Sequence, residues 1–98
     1  MNHNKSYYAY ILKCEGGSYY VGSTDNPEQR LSIHNAGRGP KWTALRLPVE
    51  LVHCEKFETQ KKAIQRENQI KRWSRAEKEA LIAGNIDALK RLSKRKTK

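Results

Sequence analysis

The sequence predicts an α+β fold: a small three-stranded, antiparallel-type sheet flanked by helices, in the element order ββαβαα. Three observations carry that prediction. Two runs dense in aromatic and branched residues, Ser6–Cys14 and Ser18–Ser23, are separated by Glu15-Gly16-Gly17 and read as a hairpin of antiparallel neighbours. A third branched run, Val49–Phe57, follows Pro48 and stands between stretches that carry helix-start signals. Finally, 98 residues give room for one small domain and none for a doubly wound sheet or a strand-helix barrel.

Each helix is justified in turn by its ends. Thr24-Asp25-Asn26-Pro27 offers polar caps and then a proline where a missing N–H costs little, which predicts a helix from about Pro27 to Ala36. Within it Leu31 points inward, and Arg30 and His34, four residues apart, project from one side. Asn35–Trp42 holds two glycines and a proline and reads as a basic loop. Thr59 caps a long helical stretch in which Ala63, Ile64, Glu67, Ile70 and Trp73 lie along one side. Ser74 is the N-cap of a second segment, Arg75–Ala83, which ends at Gly84. Beyond it, Asn85–Lys98 carries a net charge of +5; a short helix over Ile86–Leu92 is expected there, with the final SKRKTK disordered. The domain organisation expected is residues 1–84 as one domain and 85–98 as a basic, partly disordered extension. The first five residues are expected to fray.

Composition narrows the function classes. Twenty Lys and Arg against ten Asp and Glu give a formal charge of +10, which favours a polyanionic partner, nucleic acid first. No apolar run approaches the roughly 20 residues of a membrane span, and Met1–Lys5 lacks the apolar stretch of a secretory signal, so a cytoplasmic protein is expected. Cys14 and Cys54 form no C-x-x-C pair; both read as small buried hydrophobes rather than a disulfide or zinc site. His53 is expected to face a strand neighbour without a chemical role, and His3 falls in the frayed end.

Two features do not fit a bland surface. Glu67 shares a helix face with Ala63, Ile64 and Ile70, and an ionised carboxylate on an apolar stripe requires a cation. That cation is either a nearby arginine, Arg30 or Arg66, or a hard divalent ion such as Mg²⁺, which one or two carboxylates suffice to anchor. In addition, all five tyrosines lie in the first two strands, Tyr8 and Tyr10 on one face of the first and Tyr20 with Gly22 on one face of the second. Taken alone, that pattern is usually sheet packing rather than chemistry.

The ordered set is more telling. Tyr8-Ala9-Tyr10, then Tyr20-Val21-Gly22, Arg30 eight residues beyond the glycine, His34 four after that, and Glu67 on a later helix together resemble the GIY-YIG nuclease superfamily. The run Ile70-Lys71-Arg72-Trp73-Ser74-Arg75 through Lys78 to Ile82 is similar to the ending of its small stand-alone bacterial members. The resemblance spans about Ser6–Gly84. It implies that Tyr10 and Tyr20 line the reaction centre, that Arg30 contacts the scissile phosphate and that His34 stands where the family carries tyrosine or histidine. It further implies that Glu67 ligates Mg²⁺ or Mn²⁺. Tyr8-Ala9 replaces the Gly-Ile of the first motif, and Ser23 stands where some members have lysine. A metal and a planar guanidinium directed at phosphoryl oxygens suit phosphodiester hydrolysis, where negative charge builds on those oxygens.

Independently, Lys61, Lys62, Arg66, Lys71, Arg72 and Arg75 crowd the long helix and its end, while Arg38, Lys41 and Arg46 flank the loop before the third strand. Trp42 is placed to stack on an exposed base, and Trp73 to pack on the sheet. Two functions follow as expectations. The first is a metal-dependent DNA endonuclease or phosphodiesterase related to repair or recombination; the second is a noncatalytic nucleic-acid-binding module on the same scaffold.

Overall fold

A computed structural model describes residues 5–95. The elements are β1 (Tyr7–Cys14), β2 (Tyr19–Thr24), α1 (Pro27–Asn35), α2 (Lys41–Ala44), β3 (Val49–Phe57), α3 (Gln60–Lys71), α4 (Arg75–Ala83) and α5 (Ile86–Arg95). The three strands form one antiparallel sheet in the order β2-β1-β3. Central β1 is apolar on both faces, as a strand covered on both sides must be, and Ala9, Tyr10, Ile11 and Leu12 are all buried.

Alternation along β1 divides the core in two. Tyr10, Leu12 and Cys14 pack with Val49, Tyr20, Leu51 and Leu31 of α1. On the opposite face Ile11 and Val21 pack with Ile70 of α3, Leu81 of α4 and, more peripherally, Trp73 and Leu89. A register irregularity between Ile11 and Leu12 bends the β1–β3 pairing. Strand β2 is an edge, and α3 packs against it.

The helix ends form as the sequence indicates. Asn26 accepts from the Gln29 N–H at 3.1 Å with Pro27 leading α1, and Thr59 accepts from the Lys62 N–H at 3.2 Å. Ser74 and Glu77 form a reciprocal capping box, and Gly84 takes the left-handed conformation at φ 71°. Differences lie in the loops and margins. The expected loop Asn35–Trp42 closes on a short helix, because Ala44 and Leu45 N–H groups bond back to Pro40 and Lys41. Ile64 is exposed rather than part of the inward stripe, and Cys54 is exposed while Cys14 is buried. Helix α5 runs through Arg95, so the first half of the expected SKRKTK tail is helical, and Leu89 docks on the core. Met1–Asn4, including His3, and Lys96–Lys98 lie outside the described residues.

Arg66 is not available as a surface cation. Its guanidinium grips Glu55 of β3 through two contacts, Nε to Oε1 at 2.9 Å and a second nitrogen to Oε2 at 3.1 Å, and lies over the Trp73 ring at 5.0 Å. His53, expected to face a strand neighbour, instead reaches Glu55 along its own strand at 2.7 Å. Burial pushes the Glu55 carboxyl up, but hydrogen bonds from His53 and Arg66 and the Arg66 charge more than reverse that, holding it down to about 2. Because the folded pKa lies below the unfolded 4.5, the clamp's contribution is complete above pH 4.5 and is lost as pH falls toward 2. We expect wild type to lose up to about 3 kcal/mol more than Glu55→Gln over that window. Urea unfolding midpoints measured from pH 5 to 2 check this; parallel pH curves for the two proteins would contradict it.

Candidate active site

The hairpin places the first site residues. Tyr10 stands opposite Gly22 in the β1–β2 register, and its ring crosses the glycine: a Cβ there would come within 2.5 Å of the phenolic oxygen. Glycine is therefore required at position 22 for close approach of a side chain, not for a positive φ. Tyr20, two residues earlier on the same face of β2, sets its ring 6.4 Å from that of Tyr10.

Helix α1 supplies the next pair. Leu31 anchors it in the core, and this phase sends His34 beneath Tyr10 and Tyr20. The His34 ring is fully buried, 5.2 Å from Tyr20; Nε2 lies 3.3 Å from the Tyr10 hydroxyl and Nδ1 3.0 Å from Thr43 Oγ1. Arg30, one turn earlier, faces the phenolic oxygen of Tyr10 as a donor. Burial, with a smaller contribution from Tyr20, raises the Tyr10 pKa to about 12 against the opposing pull of Arg30. Burial and then the Arg30 charge lower the His34 pKa below its ordinary 6.5. At neutral pH both groups are uncharged.

Glu67 arrives from the other layer. Its helix, α3, packs on the sheet face opposite the tyrosines, and the acid comes near them at Gly22 and Ser23 of β2. There Ser23, on the α3 side of β2, donates to Glu67 Oε1 at 2.7 Å, and the carboxylate is close enough to act electrostatically on Tyr10. A polar cavity of about 280 Å³ opens beside Ser23, lined also by Lys5, Tyr7, Thr24, Asp25 and Arg30 and by Gln60 and Ala63 of α3; of the site residues, Arg30 lines it directly. The five residues singled out from the sequence, Tyr10, Tyr20, Arg30, His34 and Glu67, thus share one neighbourhood.

The cation expected beside Glu67 is neither Arg30 nor Arg66. Lys71 occupies that place, with Nζ 2.7 Å from Oε2 in an i,i+4 pair of the favoured Glu-before-Lys orientation. Among the described residues no group of three His, Cys, Asp or Glu could hold a metal ion, so a divalent ion here would have the Glu67 carboxylate as its one acidic ligand, beside the Ser23 hydroxyl. Lys71 is half exposed and long enough to swing away.

The remaining basic and aromatic candidates are scattered in their availability. Arg38, Lys41, Lys62 and Arg72 are exposed. Arg75 pairs with Glu79 at 3.1 Å and lies over Tyr19 at 4.9 Å. Trp42, partly exposed on α2, sits 6.2 Å from the Tyr20 ring, and the Arg46 guanidinium lies 4.1 Å over its indole. The sequence reading missed Ser23 as the carboxylate's hydrogen-bond donor and Thr43 as the partner of His34 Nδ1. The i,i+4 spacing was a sufficient signal for Lys71, and period two places Ser23 toward α3. Nothing local marks Thr43, which reaches His34 only because the loop folds into α2.

Known proteins resemble this chain over most of its length. Residues 6–80 match the model of the GIY-YIG catalytic domain. A UPF0213 protein of Natronomonas pharaonis is 49% identical over 77 residues, covering 79% of this chain and 91% of that protein. One from Enterococcus faecalis is 47% identical over 84 residues, covering 84% and 96%. Among solved structures, an E. faecalis protein determined by solution NMR has a TM-score of 0.57 at 44% identity, covering 86% of this chain and 90% of that one. The UPF0213 protein of Bacillus halodurans gives 0.53 at 36%, with 82% and 85% covered.

Gly22→Ala tests the close approach on which the Tyr10 placement depends. The added methyl overlaps the phenol, so urea unfolding should show a loss of about 1–3 kcal/mol. Unchanged stability, with the Tyr10 and His34 ring signals unmoved in NMR spectra, would contradict the packing described.

Proposed function

Since the chain belongs to the GIY-YIG catalytic-domain family, a nuclease-type family, we propose that it is a divalent-metal-dependent endonuclease or phosphodiesterase that hydrolyses phosphodiester bonds in DNA. One observation carries the reading: a single phenol, Tyr10, is flanked by a donor cation (Arg30), an imidazole (His34) and a carboxylate (Glu67), beside a polar cavity at the sheet edge.

The chemistry follows from these groups. The Arg30 guanidinium, always charged and planar, holds the scissile phosphate and stabilises the charge that builds on its oxygens. Glu67, steadied by Ser23, would hold Mg²⁺ or Mn²⁺ as the single carboxylate ligand, and the ion when bound supplies further stabilisation of that charge. Lys71 exchanges its carboxylate contact for a phosphate when substrate arrives. Tyr10 receives the proton of the attacking water, with neutral His34 beside it to take up a proton in turn. With a pKa near 12 the phenol does not ionise at neutral pH, so it acts as a conduit rather than as a standing base. Outside the centre, Arg38, Lys41, Lys62 and Arg72 offer contacts to flanking phosphates, and Trp42 an aromatic surface beside Tyr20 for a base.

A binding module without turnover is the second reading. The observation favouring it is the Lys71 ammonium, which already neutralises the carboxylate a metal needs. A cleavage panel on supercoiled, branched and single-stranded DNA with Mg²⁺ and Mn²⁺ separates the two. Under the nuclease reading, Glu67→Ala and Arg30→Ala each lower nicking by at least about 100-fold while leaving the protein folded. Undiminished nicking by Glu67→Ala excludes the metal role, and no turnover with any metal or substrate favours the binding module.

The pH profile is a further check. The working form of His34 is the neutral one and its pKa lies below 6.5, so cleavage should stay level from about pH 6.5 through neutrality and fall only as pH drops below that. A profile that declines between pH 8 and 7 would contradict His34 as the proton acceptor.

A further inference from the structure

The fully buried His34 ring is enclosed by Tyr10 of β1, Tyr20 of β2, Arg30 of its own helix and Thr43 of α2. Both ring nitrogens are hydrogen-bonded, yet a neutral imidazole has a single N–H; one nitrogen donates and the other accepts. The neighbours decide which. Thr43 has one hydroxyl hydrogen, and it is directed at the Pro40 carbonyl at 2.9 Å, so its oxygen accepts from His34 and the ring proton sits on Nδ1.

The Tyr10 side gives the same answer independently. Arg30 has only donors, and among the described residues the hydrogen-bond partners of the Glu67 carboxylate are Ser23 and Lys71, not Tyr10. If Nε2 carried the proton, the phenolic hydrogen would have no acceptor among these neighbours, in a residue only 1% exposed. With the proton on Nδ1 every hydrogen finds an acceptor: Tyr10 donates to Nε2, Nδ1 to Thr43, and Thr43 to Pro40. Gly39 makes the contact possible, since a Cβ there would lie 2.7 Å from Nδ1. Trp42, next to Thr43, rests against Tyr20 and holds α2 in place.

We propose that Thr43 is a positioning residue for the cleavage reaction: by accepting from Nδ1 it locks His34 in the tautomer whose Nε2 lone pair faces the Tyr10 hydroxyl. The inference rests on the nuclease reading. As the water oxygen bonds to phosphorus, the scissile P–O bond breaks and the leaving oxygen departs as an alkoxide that takes a proton from solvent; the attacking water's proton passes to the Tyr10 oxygen and the phenolic proton passes to Nε2. The O–H bonds of water and of the phenol break, and a new phenolic O–H and an Nε2–H form. The imidazolium produced keeps its Nδ1–H bond to Thr43, so the same oxygen serves before and after the transfer.

The tautomer is measurable without any activity. Long-range ¹H–¹⁵N correlation spectra of ¹⁵N-labelled protein at pH 7.5, with the His34 signals identified by their loss in His34→Gln, should show the Nδ1–H form. Thr43→Val, which keeps the side-chain shape but removes the acceptor, should shift His34 toward the Nε2–H form, and Thr43→Ser should restore Nδ1–H. In cleavage assays Thr43→Val should lower kcat by about tenfold or more while KM stays within about twofold, since a wrong tautomer acts on the chemical step. Thr43→Ser should recover most of the rate. The Nε2–H tautomer in the wild type, or an unaltered Nδ1–H form in Thr43→Val, overturns the proposal. The Nδ1–H form in a protein that cleaves nothing supports the assignment of Thr43 and contradicts the nuclease reading instead.

Discussion

A phenolic hydroxyl buried in the middle of the central strand is the constraint from which the rest of this structure follows. Leaving such a group without a partner costs about 1–3 kcal/mol, a large share of what a domain of this size has to spare. The imidazole of His34 satisfies it, and that contact sets the phase of α1, the closeness of Gly39 and the turn of α2 that brings Thr43 to the other ring nitrogen. Gly22 is the complementary concession on the neighbouring strand, since any side chain there would occupy the phenol's space. A polar chain is thus threaded through an otherwise apolar layer, and no buried side-chain nitrogen or oxygen among the described residues is left without a partner.

The second organising fact is the sheet's open edge. Tyrosines and acid belong to opposite layers, and they meet because β2 is the last strand and its residues there are small: Gly22 toward one layer, Ser23 toward the other. Charge is arranged differently on the two sides. Around Tyr10 the neutral forms are favoured by burial, whereas Glu67 is partly exposed and paired with the half-exposed Lys71. Elsewhere the same acid–base pairing serves the fold: the Arg66–Glu55 clamp ties α3 to the far strand and takes out of circulation a cation that charge counting alone would assign to nucleic acid.

Much of this was legible in the sequence, for identifiable reasons. Period-two runs of Tyr, Val and Ile give the strands, and Asn26, Thr59, Ser74 and Gly84 give the helix ends because each satisfies backbone groups through a local signal. The five site residues emerge from spacing and from family resemblance together. What escaped is what depends on tertiary approach. Thr43 is an ordinary threonine until α2 folds against His34; Ile64 carries the right spacing for the core but lies on the flank that the sheet does not reach. The identity of the cation beside Glu67 was a choice among several nearby basic residues, and the local helical pair prevailed over the long-range arginine, which Glu55 had already engaged. At the C-terminus the helix expected over Ile86–Leu92 forms with Leu89 on the core and continues to Arg95, into the basic run whose charge density argued against order.

The claim at the centre is that the Tyr10 hydroxyl passes the water's proton toward His34, and removing that one oxygen tests it most directly. In single-turnover cleavage of an end-labelled DNA substrate with Mg²⁺ or Mn²⁺, Tyr10→Phe should be slower than the wild type by at least about 100-fold, with circular dichroism showing the fold intact. A folded Tyr10→Phe protein that cleaves within about twofold of the wild-type rate would contradict the account.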